Sequence, residues 1–225
     1  MIVITGASRG LGRAICDRLL SNGEDVLGLS RSVNNIPFNS QICDVSDYQS
    51  VKLAAKEIRK LQKPVKAVIN AAGIASMNMA ITTDAETVQK IIQTNLVGTI
   101  SCCQLFAPLM IRRKTGCFIN FSTIAVPLAL KGESVYAASK AGVETFSRSF
   151  AREMADFNIS VNCIAPGPIK TDLLRGITDK QIEKITDQQI ISKQFNKEDV
   201  CDLVELLLDK KSASLSGQVF SVGGV

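Results

Sequence analysis

A doubly wound α/β fold with a mostly or wholly parallel seven-stranded sheet is predicted for this 225-residue chain on three observations. Short apolar runs alternate with helix-length amphipathic segments from one end of the chain to the other. Helices separate most successive runs, and parallel crossovers need a dozen or so residues lying across the sheet, which covers both of its faces. No internal repeat, low-complexity tract or Pro/Gly/Ser-rich linker divides the chain, so residues 1–225 are read as one domain.

Residues 2–5 form the first strand: no charged leader precedes the apolar run and a glycine-rich turn follows it, unlike a signal peptide. A helix over 10–22 places Leu11, Ile15, Leu19 and Leu20 on one face and stops at Asn22-Gly23. Residues 26–30 are the second strand and 41–44 a short third, with too few residues between them for a helix. A helix over 47–61, a strand over 65–70, a long helix over 84–111 and a strand over 117–122 follow. A helix over 134–156, a strand over 159–165, a helix over 197–208 and a strand over 218–222 complete the order. Residues 91–111 carry no charge and approach the length of a membrane span, but Gln93, Asn95, Gln104 and Pro108 interrupt them. A helix buried in protein is the better reading. Residues 170–194 are largely polar, lack a clean period and follow Pro166-Gly167-Pro168. They are read as a lid over a site, with an ordinary surface excursion as the alternative.

Hydrophobic residues at 46% and charged residues at 21% exclude wholesale disorder. The formal charge of +5 favours anionic partners. Nucleic acid is not expected, because the basic residues are dispersed and no stacking-rich motif accompanies them. The absence of histidine excludes His-based triads, His-ligated metals and haem with a proximal His, and no metal is expected. Seven cysteines, odd in number and without a CxxC motif, read as reduced core residues of a cytoplasmic protein.

Gly6-Ala7-Ser8-Arg9-Gly10-Leu11-Gly12 lies between the first strand and the first helix. Such spacing permits a tight turn, brings backbone N–H groups close to a pyrophosphate and adds a helix N-terminus. In Tyr136-x-x-x-Lys140 two side chains stand one helical turn apart, close enough for the ammonium to act on the phenol. A nearby positive charge favours phenolate, which would let Tyr136 act as general acid for carbonyl reduction and as base for alcohol oxidation. Ser122 falls at the carboxyl end of a strand, where its hydroxyl can donate to a substrate oxygen, with Thr123 as a neighbouring alternative. Asn95 lies in an apolar helical stretch and needs its amide satisfied inside the fold.

The spacing GxxxGxG, with Thr5 before it, resembles the turn of the short-chain dehydrogenase/reductase family, and later motifs recur in that family's order. Asn70-Ala71-Ala72-Gly73 is similar to its NAG motif and Asn95 to its helix asparagine. Ser122, Tyr136-Ala137-Ala138-Ser139-Lys140 and Pro166-Gly167 with Thr171 match its serine, its YxxxK and its PGxxxT. The resemblance implies a Rossmann fold and hydride transfer between a nicotinamide dinucleotide and a carbonyl or alcohol. It makes Asn95, Ser122, Tyr136 and Lys140 the catalytic set, with Asn95 supporting a water chain to Lys140 and Lys140 also anchoring the ribose. It assigns Asp44-Val45 to the adenine and places Ile169, beside Pro166-Gly167, with the cofactor-binding residues.

Cofactor choice follows from charge. Ser30-Arg31-Ser32 after the second strand supplies a cation and a hydroxyl but no carboxylate, and Arg9 can approach the same place, so NADP(H) is expected over NAD(H). With Ser30-Arg31 after the second strand and Tyr136-Ala137-Ala138-Ser139-Lys140, the sequence resembles bacterial 3-oxoacyl-[acyl-carrier-protein] reductases of fatty acid biosynthesis. By that resemblance Lys114 and Arg175 would meet an acidic acyl carrier protein, and the protein would form a homo-oligomer, a tetramer or a dimer. The ending Phe220-Ser221-Val222-Gly223-Gly224 lacks the aspartate of the family's NVDGG. A sugar or small secondary alcohol is the alternative substrate, and a non-catalytic NADP(H)-sensing protein the alternative class.

Overall fold

A computed structural model of the protein describes residues 1–34, 36–169 and 178–225. Seven strands form one sheet in the order β3-β2-β1-β4-β5-β6-β7. They are β1 (Ile2–Thr5), β2 (Val26–Ser30), β3 (Ser40–Ile42), β4 (Ala67–Asn70), β5 (Gly116–Phe121), β6 (Ile159–Ala165) and β7 (Val219–Ser221). Every neighbouring pair is parallel. This is the predicted doubly wound sheet.

Alternation along each strand divides the core. Ile2 and Ile4 of β1 pack with Ile69, Ile119 and the inner faces of α1 (Gly10–Ser21) and α8 (Lys197–Leu208). Val3, Val68 and Phe118 point the other way, into α2 (Tyr48–Lys60), α4 (Gly98–Ile111) and α6 (Ser134–Ala155). Strands buried on both sides favour apolar residues at successive positions, which is why β1 opens Ile-Val-Ile, while the buried amides of Asn70, Asn120 and Asn162 in β4, β5 and β6 are hydrogen-bonded. All seven cysteines are free and buried.

The predicted helix over 84–111 is one helical run with a change of pitch. It comprises α3 (Ala85–Ile92), a π turn at Gln93–Val97 and α4. By length and composition this run could cross a membrane, but it is a core helix: Cys103, Phe106 and Met110 have no exposure at all. Between β2 and β3 no helix is present among the described residues. Phe38 lies there instead, so close that a Cβ on Gly28 would sit 2.7 Å from its ring. Two helices were not foreseen, α5 (Ala125–Leu128) and α7 (Asp179–Thr186). α7 falls inside the segment read as a lid and begins with a capping box between Thr178 and Gln181.

Register gathers the functional segments. Thr5 pairs with both Leu29 and Asn70, Asn70 with Asn120, and Phe121 with Ile164. The residues that follow β1, β4, β5 and β6 therefore emerge along one edge, where the strand order reverses between β1 and β4.

Candidate active site

A cavity of about 690 Å³ opens at that edge. The turn after β1 contributes Gly6, Ser8, Arg9, Gly10 and Leu11 to its wall. Gly6 holds a left-handed φ of +72°, and a Cβ there would lie 2.8 Å from the Ala72 Cα. Only glycine permits that approach. Gly12 lies behind the wall, its Cα against the Gly6 carbonyl, so its part is packing of α1 on the turn. The N-terminus of α1 has no side-chain cap and no acidic residue in its first turn, whereas Asp47, Asp84, Thr178 and Asn196 cap α2, α3, α7 and α8. Backbone donors without a competing side chain, on a helix dipole and beside glycines, suit a pyrophosphate, so the residues present fit a dinucleotide.

Arg31 and Ser32 line the cavity beyond β2, and Asp44 and Val45 beyond β3. The Asp44 carboxylate is held by Ser46, whose N–H and Oγ–H donate to Oδ1 at 2.9 and 2.7 Å. Ala71, Ala72 and Gly73 line it after β4, and Pro166, Gly167 and Ile169 after β6. Asn70 is not on the wall. It is 2% exposed and donates to Asn120 Oδ1 at 2.8 Å, cross-linking β4 to β5 beneath the site. Thr171 and Arg175 lie outside the described residues. Lys114 stands just before β5, at the opposite end of that strand from Ser122. A six-residue strand puts roughly 20 Å between those ends, which removes Lys114 from the rim of its own chain's cavity.

Ser122, Tyr136 and Lys140 meet on the cavity wall. Lys140 is buried, and its ammonium donates to the Phe121 carbonyl at 2.8 Å. Burial brings the Lys140 pKa down to about 8. A Cβ on Gly73 would lie 3.5 Å from Nζ and 3.3 Å from Asn95 Oδ1, so the loop after β4 is glycine where these two side chains need the room. The phenol of Tyr136 departs from the expectation of a lowered pKa. The chain's own groups raise it, burial first and the Glu133 carboxylate second, with the Thr123 hydroxyl opposing them. Desolvation leads because a phenolate held away from water loses its hydration.

Asn95, in the π turn, does not reach the wall. Its amide accepts from Ile74 N–H at 2.9 Å and donates to Ile74 C=O at 2.8 Å and Ser139 Oγ at 3.0 Å. It ties the loop after β4 to α6 one residue before Lys140. Ser122 holds a partner the sequence reading did not foresee: its hydroxyl donates to Glu144 Oε1 at 2.5 Å. Glu144 lies two turns along α6 from Tyr136, and its other oxygen is 3.8 Å from Arg148. Glu133, one turn before Tyr136, is a second carboxylate that sequence reasoning passed over. Its spacing from Tyr136 is the same one-turn interval that singled out Lys140, and that was the available signal. Ile74, Met77, Ile124, Leu130, Ile182 and Ile185 add an apolar part to the wall, the last two from α7, and Thr94 and Thr123 add hydroxyls.

The family profile described as short chain dehydrogenase matches residues 1–182. The chain is 31% identical over 231 aligned residues to the 3-oxoacyl-[acyl-carrier-protein] reductase FabG of Escherichia coli (strain K12), covering 99% of this chain and 95% of the relative. The reductase of the same name from Staphylococcus aureus (strain Mu50) is 29% identical, with 99% and 96% covered. Among solved structures, the ligand-free aldohexose dehydrogenase AldT of Thermoplasma acidophilum superposes with a TM-score of 0.89 at 27% identity over 99% of this chain and 92% of that one. The structure titled gox2181 shares the fold, with a TM-score of 0.91 at 23% identity over 98% and 93% of the two chains. With a glycine turn, a Ser-Tyr-Lys wall and a family profile that spans well over half its length, the chain belongs to the short chain dehydrogenase family, oxidoreductases that act on CH–OH groups.

Proposed function

We propose that the protein reduces the ketone of a 3-oxoacyl thioester to a secondary alcohol with NADPH. The observation that carries the substrate class is the wall around Ser122 and Tyr136. Ile74, Met77, Ile124, Leu130, Ile182 and Ile185 offer an acyl chain a run of apolar contact, while Thr94, Thr123 and Glu133 are the polar groups that share this part of the wall. The FabG relatives support this reading, and the likeness to an aldohexose dehydrogenase keeps a sugar as the second one.

A bound nicotinamide dinucleotide would supply the hydride. The turn at Gly6–Gly12 and the N-terminus of α1 would hold its pyrophosphate, and Arg31, with no carboxylate at the end of β2, would favour the 2′-phosphate of NADP(H). Tyr136 donates the proton to the carbonyl oxygen. Its raised pKa keeps it protonated at neutral pH, the form an acid needs in the reducing direction. Ser122 holds the oxygen once its hydroxyl turns from Glu144 to the substrate, leaving Glu144 beside Arg148. Lys140 keeps the Phe121 carbonyl and the cofactor's ribose in place, and Asn95 fixes the loop and helix between which Lys140 sits.

The same reading carries assembly through the long helices and the edge strand β7, an acidic carrier as the thioester's bearer, and a cytoplasmic setting suited to seven unpaired thiols. Light scattering reads the number of subunits. The deciding experiment is a panel of 3-oxoacyl thioesters and aldohexoses with each dinucleotide, followed by NADPH absorbance. Faster turnover of an aldohexose than of any thioester overturns the substrate assignment. Binding of NADPH with no turnover of any carbonyl would make the protein a sensor.

A further inference from the structure

Glu133 is 9% exposed, lines the substrate cavity and stands at the N-cap of α6, yet it makes no side-chain cap to that helix. Among the described residues its carboxylate has no hydrogen bond and no ion pair. Other carboxylates and amides at helix starts, at Asp47, Asp84 and Asn196, turn back onto the backbone N–H groups behind them. Glu133, longer by a methylene and without their extended backbone, does not cap α6 and faces the cavity, near enough to Tyr136 for its charge to act on the phenol. Burial raises its own pKa, as expected for a carboxylate removed from water without compensation. Its oxygens open onto the cavity and are not sealed in the core, so the carboxylate is a partly dehydrated acceptor that a group entering the cavity can complete.

We infer that Glu133 is a specificity residue that accepts a hydrogen bond from a neutral N–H or O–H group on the substrate, close to the reacting carbonyl. The inference rests on the reductase reading and deepens it: the apolar wall takes a chain, and Glu133 takes one donor on that chain. A thioester can present that donor from two sources, an amide N–H in the arm that carries the sulfur or a hydroxyl on the acyl carbons.

Three probes separate these sources: the N-acetylcysteamine thioester of 3-oxobutanoate, the S-butyl thioester of the same acid, and the S-butyl thioester of 5-hydroxy-3-oxohexanoate. Each is measured against the NADPH-loaded protein by calorimetric binding and by turnover, for wild type, Glu133→Gln and Glu133→Met. Wild type is expected to favour one donor-bearing probe over the S-butyl ketone by about tenfold, the smaller end of what a hydrogen bond to a charged group contributes. Glu133→Gln keeps an acceptor and part of the preference, and Glu133→Met brings the ratio to about one. The methionine variant should also melt about 2 °C or more above wild type, because an uncompensated carboxylate has left a buried place. A carboxylate with a purely structural role would lower the melting temperature instead. Equal binding of the three probes by wild type, or a preference untouched in Glu133→Met, overturns the inference. A binding preference that depends on Glu133 without turnover of any probe sinks the reductase reading alone.

Discussion

Replacing Lys140 by methionine removes a charge and keeps most of the side chain's bulk, which isolates what the buried ammonium does to stability. Burial brings that ammonium from an ordinary 10.5 to about 8. At about 1.4 kcal/mol per decade, carrying the charge at pH 7 costs the fold about 3 kcal/mol. Methionine relieves this but leaves the Phe121 carbonyl without the donor it holds at 2.8 Å, a loss of about 1–3 kcal/mol. Lys140→Met should therefore equal or exceed wild type by up to about 2 kcal/mol at pH 7, or up to about 6 °C in Tm, while losing turnover. The folded state releases its proton near pH 8 and the unfolded chain keeps its own up to about 10.5, so wild-type stability rises through that window. About 2 kcal/mol of the cost should be gone by pH 9.5. Urea unfolding of both proteins at pH 7 and 9.5 is the assay, and subtracting one from the other cancels every other titrating group. A difference that does not move with pH, or a variant less stable than wild type by more than about 3 kcal/mol at pH 7, would refute the reasoning.

Tyr136→Phe should keep NADPH binding and lose turnover by about 10²–10⁴-fold, read from kcat with the ketone probes; near-normal kcat would remove the tyrosine as acid. Arg31→Asp should raise KM for NADPH about tenfold more than KM for NADH, and equal effects would show that Arg31 does not meet the 2′-phosphate. Gly6→Ala forces a side chain into a left-handed backbone 2.8 Å from the Ala72 Cα, so a loss of about 2 kcal/mol or more is expected in urea melts. An alanine variant with wild-type stability would show that the turn can relax.

The sheet was legible because burial on both faces leaves a strong mark: strands such as Ile2–Thr5 and Ala67–Asn70 are three apolar residues in a row ending on a polar one. The cofactor turn and the YxxxK pair were legible for a different reason, since each needs particular residues at a spacing set by backbone geometry. α7 was missed because its inward face rests on two isoleucines, Ile182 and Ile185, among polar neighbours, although Thr178-x-x-Gln181 announced its start. The acid pair Glu133 and Glu144 was missed because a carboxylate on a helix reads as a solvated charge until burial is known. The Ser122–Glu144 bond joins residues 22 apart and could be seen only after α6 was packed on the sheet.

The wider turn at Gln93–Val97 has a geometric effect that reaches the whole long helix. One surplus residue rotates everything after it by about 100° relative to an unbroken α-helix. That offset lets the first half of the rod, up to and including the turn, aim Asn95 toward Ser139 and Ile74 while the second half still aims Cys103, Phe106 and Met110 at the sheet. Shortening the turn by a single residue would put those two halves out of phase, so either the clamp beside Lys140 or the hydrophobic seam beneath it would have to let go.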